Sequence, residues 1–168
     1  MKKLSVLFLL FTLIFCSCKK DNEPPSEINL PITYAFIPAT MEIDMNDMDE
    51  AQKEQIEYLT TGHHVVNDVS ELPDDPFAQN DMYKNLNYQD YTLLLVYLMR
   101  GWEFDTYSNR FYRNTVEKTY NWVVQLGMTT PPDESGEKRY LMRFAILVKK
   151  LPADATVTTW FSFSAINW

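Results

Sequence analysis

The stretch from Tyr91 to Met99 constrains the fold of this chain more than any other part of the sequence. It reads YTLLLVYLM, and apolar side chains occupy both its odd and its even positions. Because successive side chains of a β-strand point to opposite faces of the sheet, a strand with this pattern is buried on both sides. The sequence therefore predicts a central strand of a covered sheet.

Further strand patterns follow this run. In residues 119–128 the even positions, which include Trp122, are apolar or aromatic, and the odd positions between them include polar residues. This period of two is typical of a strand. The predicted strands are 110–116, 119–128, 140–148 and 156–163, with a turn at Glu117 and Lys118 and a Pro- and Gly-containing loop at 129–138. Together with the central strand they favour an antiparallel sheet that forms a sandwich or a partly open barrel.

The first half of the chain carries a mixed pattern. Two strand segments, 32–37 and 41–45, are separated at Pro38, and residues 49–59 have the composition of a short helix with Asp47 or Asp49 as its N-cap. We also expect a strand at 64–67, a helical turn at 69–72 and a loop at 73–80. The predicted fold class is mainly β, or α+β, as a single small domain with one or two short helices.

The N-terminal segment has the features of an export signal. Two lysines precede an apolar run from Leu4 to Phe15, which is too short to span a bilayer. A small residue, Ser17, then stands before Cys18, and the chain becomes polar directly after it. This arrangement resembles the signal of bacterial lipoproteins, so we expect residues 1–17 to be removed and Cys18 to carry the lipid.

Two alternatives to the predicted lipoprotein signal are an ordinary secretory cleavage and an uncleaved anchor. Cys16 is the poorer lipidation site, because the bulky Phe15 would lie directly before the cleaved bond. Residues 18–29 are polar and contain proline, which predicts a flexible tether before a β-rich domain at 30–168. Their charges resemble the surface-export tether of Bacteroidota lipoproteins. We expect an outer membrane lipoprotein that faces the periplasm or is exposed at the cell surface.

Removal of the signal changes the composition of the mature chain. Cleavage before Cys18 removes 17 of the 168 residues, and 13 of the 15 basic residues remain against 23 acidic ones. An acidic body of this kind argues against nucleic acid as a partner. Both cysteines belong to the signal and the anchor, so the domain has no disulfide, no thiolate nucleophile and no cysteine-bound zinc.

The order of the segments resembles that of a known group of proteins. A strand near 63–67, a helical turn ending at Glu71 and Leu72, the segment NYQDYTLLLVYL, a hairpin rich in Tyr and Trp, and FAILVKKLPADATVT resemble small envelope lipoproteins of Bacteroidota of unknown function. They are also similar to the C-terminal domain of the protease-complex accessory subunit family, in which a KLP-x-DA turn precedes the last strand. The resemblance covers residues 55–163. It implies a small β-rich domain that binds or stabilises another protein, with no catalytic residue.

The sequence contains few candidate residues for catalysis or metal binding. His63 and His64 are the only histidines, and adjacent strand residues point to opposite faces, so the two cannot easily share a metal. The acidic run 44–50 departs from a calcium loop, since Met48 takes a ligand position and Asp49 stands in place of the glycine. We interpret it as a turn that leads into a helix. We therefore expect no catalytic residue, no cofactor and no metal; an enzyme would need a pocket that brings a histidine beside a carboxylate.

Aromatic residues are the remaining distinctive feature, with 4 Trp, 10 Tyr and 10 Phe. Most fall in predicted strands, where packing explains them. Six fall in predicted turns or edges and form a candidate binding surface: Trp102, Tyr107, Tyr112, Tyr83, Tyr88 and Trp168. The sequence thus favours a non-catalytic domain that binds another envelope protein, such as a protease that it regulates. A glycan-binding accessory lipoprotein is the alternative, which a planar row of exposed Trp and Tyr would favour.

Overall fold

A computed structural model of the chain describes residues 26–77, 81–128 and 138–165. The strands in these ranges are β1 (Glu27–Asn29), β2 (Ile32–Ala35), β3 (Ala39–Asp44), β4 (His63–Val66), β5 (Tyr91–Arg100), β6 (Thr106–Asn114), β7 (Thr119–Met128), β8 (Lys138–Lys149) and β9 (Val157–Ala165). The helices are α1 (Glu50–Thr60), α2 (Asp81–Lys84) and a 3-10 turn at Val69–Glu71. In these ranges no helix is long and apolar enough to span a membrane.

The strands form two sheets that pack together as a sandwich. One sheet has four strands in the order β1-β6-β7-β9, and the other has the order β2-β8-β5-β4, with β3 also paired to β8. The predicted mainly β class is confirmed, as a sandwich that is not closed into a barrel. One pair departs from the antiparallel expectation: β9 runs parallel to β7. The intervening β8 lies in the other sheet, so the chain returns to the first sheet in its original direction.

The central position of β5 is also confirmed. It lies between β8 and β4, and every residue from Thr92 to Leu98 is buried. Leu94, Val96 and Leu98 pack in the core between the two sheets. Leu93, Leu95 and Tyr97 pack on the opposite face, in a second core beneath α1. Apolar residues on both faces of β5 therefore follow from a three-layer arrangement, with the five-stranded sheet in the middle.

Helix α1 covers this sheet and begins as the sequence predicts. Asp49 is the N-cap: its side chain accepts a hydrogen bond from the backbone N–H of Gln52 at 2.8 Å, and the Gln52 side chain accepts one from the Asp49 N–H at 2.9 Å. This reciprocal pair satisfies two N–H groups that a helix start leaves free. Ile56 and Leu59 are the buried residues of the helix. The acidic run is thus a turn and a cap.

A buried ion pair attaches the segment after the 3-10 turn to the sheet. Arg143 of β8 donates to Asp75 at 2.9 Å, and both side chains are about 1% exposed. Asp75 also accepts from the Tyr97 hydroxyl at 2.5 Å and from the Phe77 N–H at 3.0 Å. Burial and the hydrogen bond to Asp75 raise the pKa of Tyr97 above the usual tyrosine range. Because a buried charge is costly without such partners, these groups hold one another in place.

Two elements differ from the prediction. Residues 27–29, expected as the end of the tether, form β1 and pair with β6 from Glu27 opposite Asn114 to Asn29 opposite Tyr112. All three side chains of β1 are exposed, so no apolar pattern marks it as a strand. Helix α2 lies directly after the predicted loop and was not expected. The signal, Cys18 and most of the predicted loop at 129–138 lie outside the described residues.

Candidate functional site

The main candidate site is a cavity of about 460 Å³ at one open side of the sandwich. We call it the edge cleft; it is bounded by the start of β4, residues 96–100 of β5, and Thr159 and Phe161 of β9. Its volume lies within the range of about 300–1,000 Å³ that is typical of ligand pockets. The edge cleft arises because β4, at the edge of one sheet, is shorter than β5, while β9 of the other sheet lies across from it.

The short length of β4 leaves the last part of β5 unpaired on one side. β4 pairs with Leu93–Val96 only, whereas β5 continues to Arg100. Among the described strands, residues 97–100 therefore have a neighbour only on the β8 side. Gly62 turns the chain into β4 with a φ of 85°, a left-handed conformation that glycine adopts without strain. A Cβ atom at Gly62 would meet nothing within 4 Å, so this end of the edge cleft is open.

The two histidines lie on opposite faces of β4, as predicted. His63 lies opposite Val96 and lines the edge cleft. His64 lies on the helix side, with ring centroids 5.4 Å from Tyr58 and 5.6 Å from Tyr97. Burial, and secondarily the neighbouring His64, lower the pKa of His63. His63 is therefore neutral at pH 7 and offers one donor and one acceptor.

Thr159 contributes an unusual polar group to the edge cleft. Its hydroxyl oxygen is buried and has no hydrogen-bond partner among the described residues. Buried polar groups in folded proteins are nearly always paired, so an unpaired one calls for an explanation. Thr159 lies on the side of β9 that faces the five-stranded sheet, as does Phe161.

Arg100 is the charged residue of the edge cleft. It lies at the end of β5 with its guanidinium 5.8 Å from the centre of the Phe163 ring. One of its N–H groups donates to the Met99 carbonyl at 2.9 Å, and the guanidinium has further N–H donors. No acidic side chain is among the described residues that line the edge cleft. The cleft is thus locally basic in a chain with an excess of acidic residues.

Aromatic rings connect the core to the rim of this site. Phe144 in the core contacts Phe161 at a centroid distance of 5.9 Å, and Phe161 stacks on Phe163 at 6.4 Å. Phe163 meets Trp102 edge-on at 5.5 Å, and it is 43% exposed. The rim therefore presents aromatic surface held by packing, which suits binding because little side-chain freedom is lost.

The five described aromatics of the predicted surface do not share one face. Trp102 and Tyr107 are half-buried near the rim, where Phe104 contacts Tyr107. Tyr112 faces away from the core, against the guanidinium of Arg110 at 4.6 Å. Trp168 lies outside the described residues.

Tyr83 and Tyr88 lie on the helix side of the five-stranded sheet. Tyr83 is only 1% exposed, so its assignment to a binding surface is wrong. Its ring packs on Phe36 and on the Arg143 guanidinium, and burial raises its pKa. Tyr88 is half-buried and donates to the Tyr83 carbonyl at 2.9 Å. Burial raises the pKa of Tyr88 to about 12. Both residues therefore serve the second core.

Sequence reasoning missed most residues of the edge cleft. Arg100, Thr159 and Phe163 carry no motif, and their juxtaposition depends on how two sheet edges meet. The available signals were His63, one of the two histidines, and Gly62, a single glycine just before a strand. In the described residues there is also no group of three His, Cys, Asp or Glu side chains that could hold a metal.

The edge cleft lies away from the point where the N-terminal segment enters the domain. The Ser26 carbonyl accepts a hydrogen bond from the Thr115 N–H at 2.9 Å, at the turn between β6 and β7. Arg100 precedes the opposite end of β6, and a strand of nine residues spans about 27 Å. Comparison of the chain with protein-family models, with curated proteins and with solved structures found no match. The fold and the edge cleft define a β-sandwich domain with an open strand edge.

Proposed function

We propose that this chain is a non-catalytic, protein-binding domain of a membrane-anchored envelope lipoprotein. The observation that carries the proposal is the unpaired edge of β5 at residues 97–100, beside a cavity with an aromatic rim. Such an edge can accept a strand from a partner, whose backbone supplies the hydrogen bonds and whose side chains enter the adjoining pocket. Thr159 supports binding at this place, because its hydroxyl lacks a partner within the described domain.

The placement of the edge cleft agrees with attachment through Cys18. The tether joins the domain at the turn between β6 and β7, and the Arg100 end of β5 lies at the other end of the molecule. A partner could approach this end without meeting the membrane surface. The glycan alternative has less support, because the most exposed aromatic residues of the described ranges lie on three different elements: Tyr34 on β2, Tyr58 on α1 and Trp160 on β9.

A partner-capture experiment tests the proposal. Tagged full-length protein is recovered from native membranes, and the amount of co-purified protein is compared between wild type and Gly62→Asn. Asparagine tolerates a positive φ and would place a side chain in the mouth of the edge cleft, so capture should fall severalfold. Lys118→Asn is the matched control, since Lys118 also has a positive φ, 59°, but lies in the turn between β6 and β7.

Recovery of one stoichiometric protein that is lost in Gly62→Asn and kept in Lys118→Asn supports the proposal. Recovery of polysaccharide alone, or of no partner, contradicts it. Equal capture by both variants places the binding surface elsewhere and contradicts the role of the edge cleft.

A further inference from the structure

Strand geometry at the edge cleft limits which partner sequence fits it, if the domain binds protein there as proposed. Side chains of β5 alternate between the two faces, and Leu94, Val96 and Leu98 point into the core between the sheets. Arg100 has the same parity and reaches Phe163 of the other sheet. Leu98 and Arg100 are therefore the β5 side chains that an added strand would meet on the cleft side.

An added strand would lie in line with β4 and end where β4 begins. The positions opposite Leu93–Val96 are already occupied, and Gly62, which is bonded to His63, lies beside Tyr97, so the positions opposite residues 98–100 are available. Both existing neighbours of β5 are antiparallel to it. A strand that runs in the same direction as β4 and ends before it meets Arg100 first and Leu98 last.

Directly opposite residues in an antiparallel pair place their side chains on the same face, with Cβ atoms about 5 Å apart. The residue opposite Arg100 thus points towards its guanidinium, and the residue opposite Leu98 points towards Leu98 and Phe161. A carboxylate suits the first position, because the described lining of the edge cleft has this arginine and no acidic group. An apolar side chain suits the second.

We infer that the edge cleft binds an extended segment of a partner protein with the pattern acidic–x–apolar, read from its N-terminal end. The acidic side chain pairs with Arg100. The apolar side chain packs on Leu98 and Phe161. The Thr159 hydroxyl, which has no partner among the described residues, donates to a carbonyl of the incoming segment.

The test uses an array of hexapeptides, acetylated and amidated at their ends, with positions two and four each varied over all residue types. Full-length protein in detergent is applied, and the bound signal is compared between peptides. Asp or Glu at position two with an apolar residue at position four should raise binding about fivefold over Gln at position two. Moving the apolar residue to position three should remove the gain, because it then points to the other face.

Three variants assign the recognition to named residues. Arg100→Gln should lose the acidic preference, and Arg100→Glu should reverse it to a preference for Lys or Arg. Thr159→Val should weaken binding of all peptides while leaving the acidic preference unchanged. Arg113→Gln is the matched control, since Arg113 lies on the other sheet of the sandwich, where its guanidinium is 5.9 Å from the centre of the Tyr120 ring, and it should bind as wild type.

The outcomes separate this inference from the proposed function. A captured membrane partner together with no acidic preference on the array, or a preference that survives Arg100→Gln, overturns the inference and leaves protein binding standing. A carboxylate for Arg100 could also come from the C-terminus of a peptide, and an added set of peptides with Gln at position two and a free C-terminal carboxylate tests this. Binding restricted to that set also overturns the inference. Failure of partner capture overturns the proposed function itself.

Discussion

Thr159 is the residue at which we expect stability of the free protein and binding of a partner to make opposite demands. Its hydroxyl is buried and unpaired within the described domain. A buried group without a partner destabilises the fold by roughly 1–3 kcal/mol, whereas the same group becomes favourable once a ligand satisfies it. We therefore expect selection for binding, not for stability, to keep a hydroxyl here.

Replacement of this residue should stabilise the free protein. Thr159→Val keeps the shape and removes the unpaired hydroxyl, so the free energy of unfolding should rise by about 1 kcal/mol. Urea unfolding of both proteins measures the change. Thr158→Val is the control, because Thr158 has the opposite parity on β9 and should change stability little. A loss of stability in Thr159→Val would show that the hydroxyl has a partner in the folded state.

At the scale of elements, the fold depends on two cores on either side of β5. The sequence was sufficient to predict β5, β7 and α1, because each has a long periodic pattern or a capping residue that acts locally. It was insufficient for β1, which has exposed side chains and is held by pairing with β6. It also missed the parallel pair of β7 and β9, since β8 between them leaves for the other sheet.

The candidate site was less predictable than the fold for a related reason. The edge cleft depends on β4 being shorter than β5 and on the position of β9 across the sandwich, and neither is a property of one segment. The predicted aromatic surface was wrong at Tyr83, because this residue of α2 is buried and its ring packs against Arg143. Exposure of a single aromatic residue depends on long-range packing that sequence patterns do not contain.

The buried ion pair is the connection that we expect to hold the helical layer on the sheet. Arg143→Leu would leave Asp75 charged and buried without its main partner, so the free energy of unfolding should fall by about 3 kcal/mol or more. Hydrogen exchange should show the largest loss of protection in residues 73–77 and α1. Arg113→Leu, at an exposed position of β6, is the control. Equal effects of the two substitutions would contradict a special role for this pair.

At the scale of the whole molecule, we expect a lipid anchor at one end of the domain and propose a binding edge at the other. The anchor itself rests on the sequence. Cys18→Ala should release the protein from the membrane fraction, because stable attachment needs the lipid chains. Cys16→Ala should leave the protein membrane-bound, since we expect that residue to be removed with the signal. Fractionation followed by immunoblotting distinguishes the two; membrane retention of Cys18→Ala would refute the lipidation site.

The central claim is that a partner adds a strand to the open edge of β5. Hydrogen–deuterium exchange of the full chain, with and without the partner captured from native membranes, tests it most directly. The account predicts that bound partner slows amide exchange at residues 97–100 and in β9, and leaves β1 and α1 unchanged. Slowed exchange confined to β1, α1 or the turn between β6 and β7, with no change at residues 97–100, would contradict it.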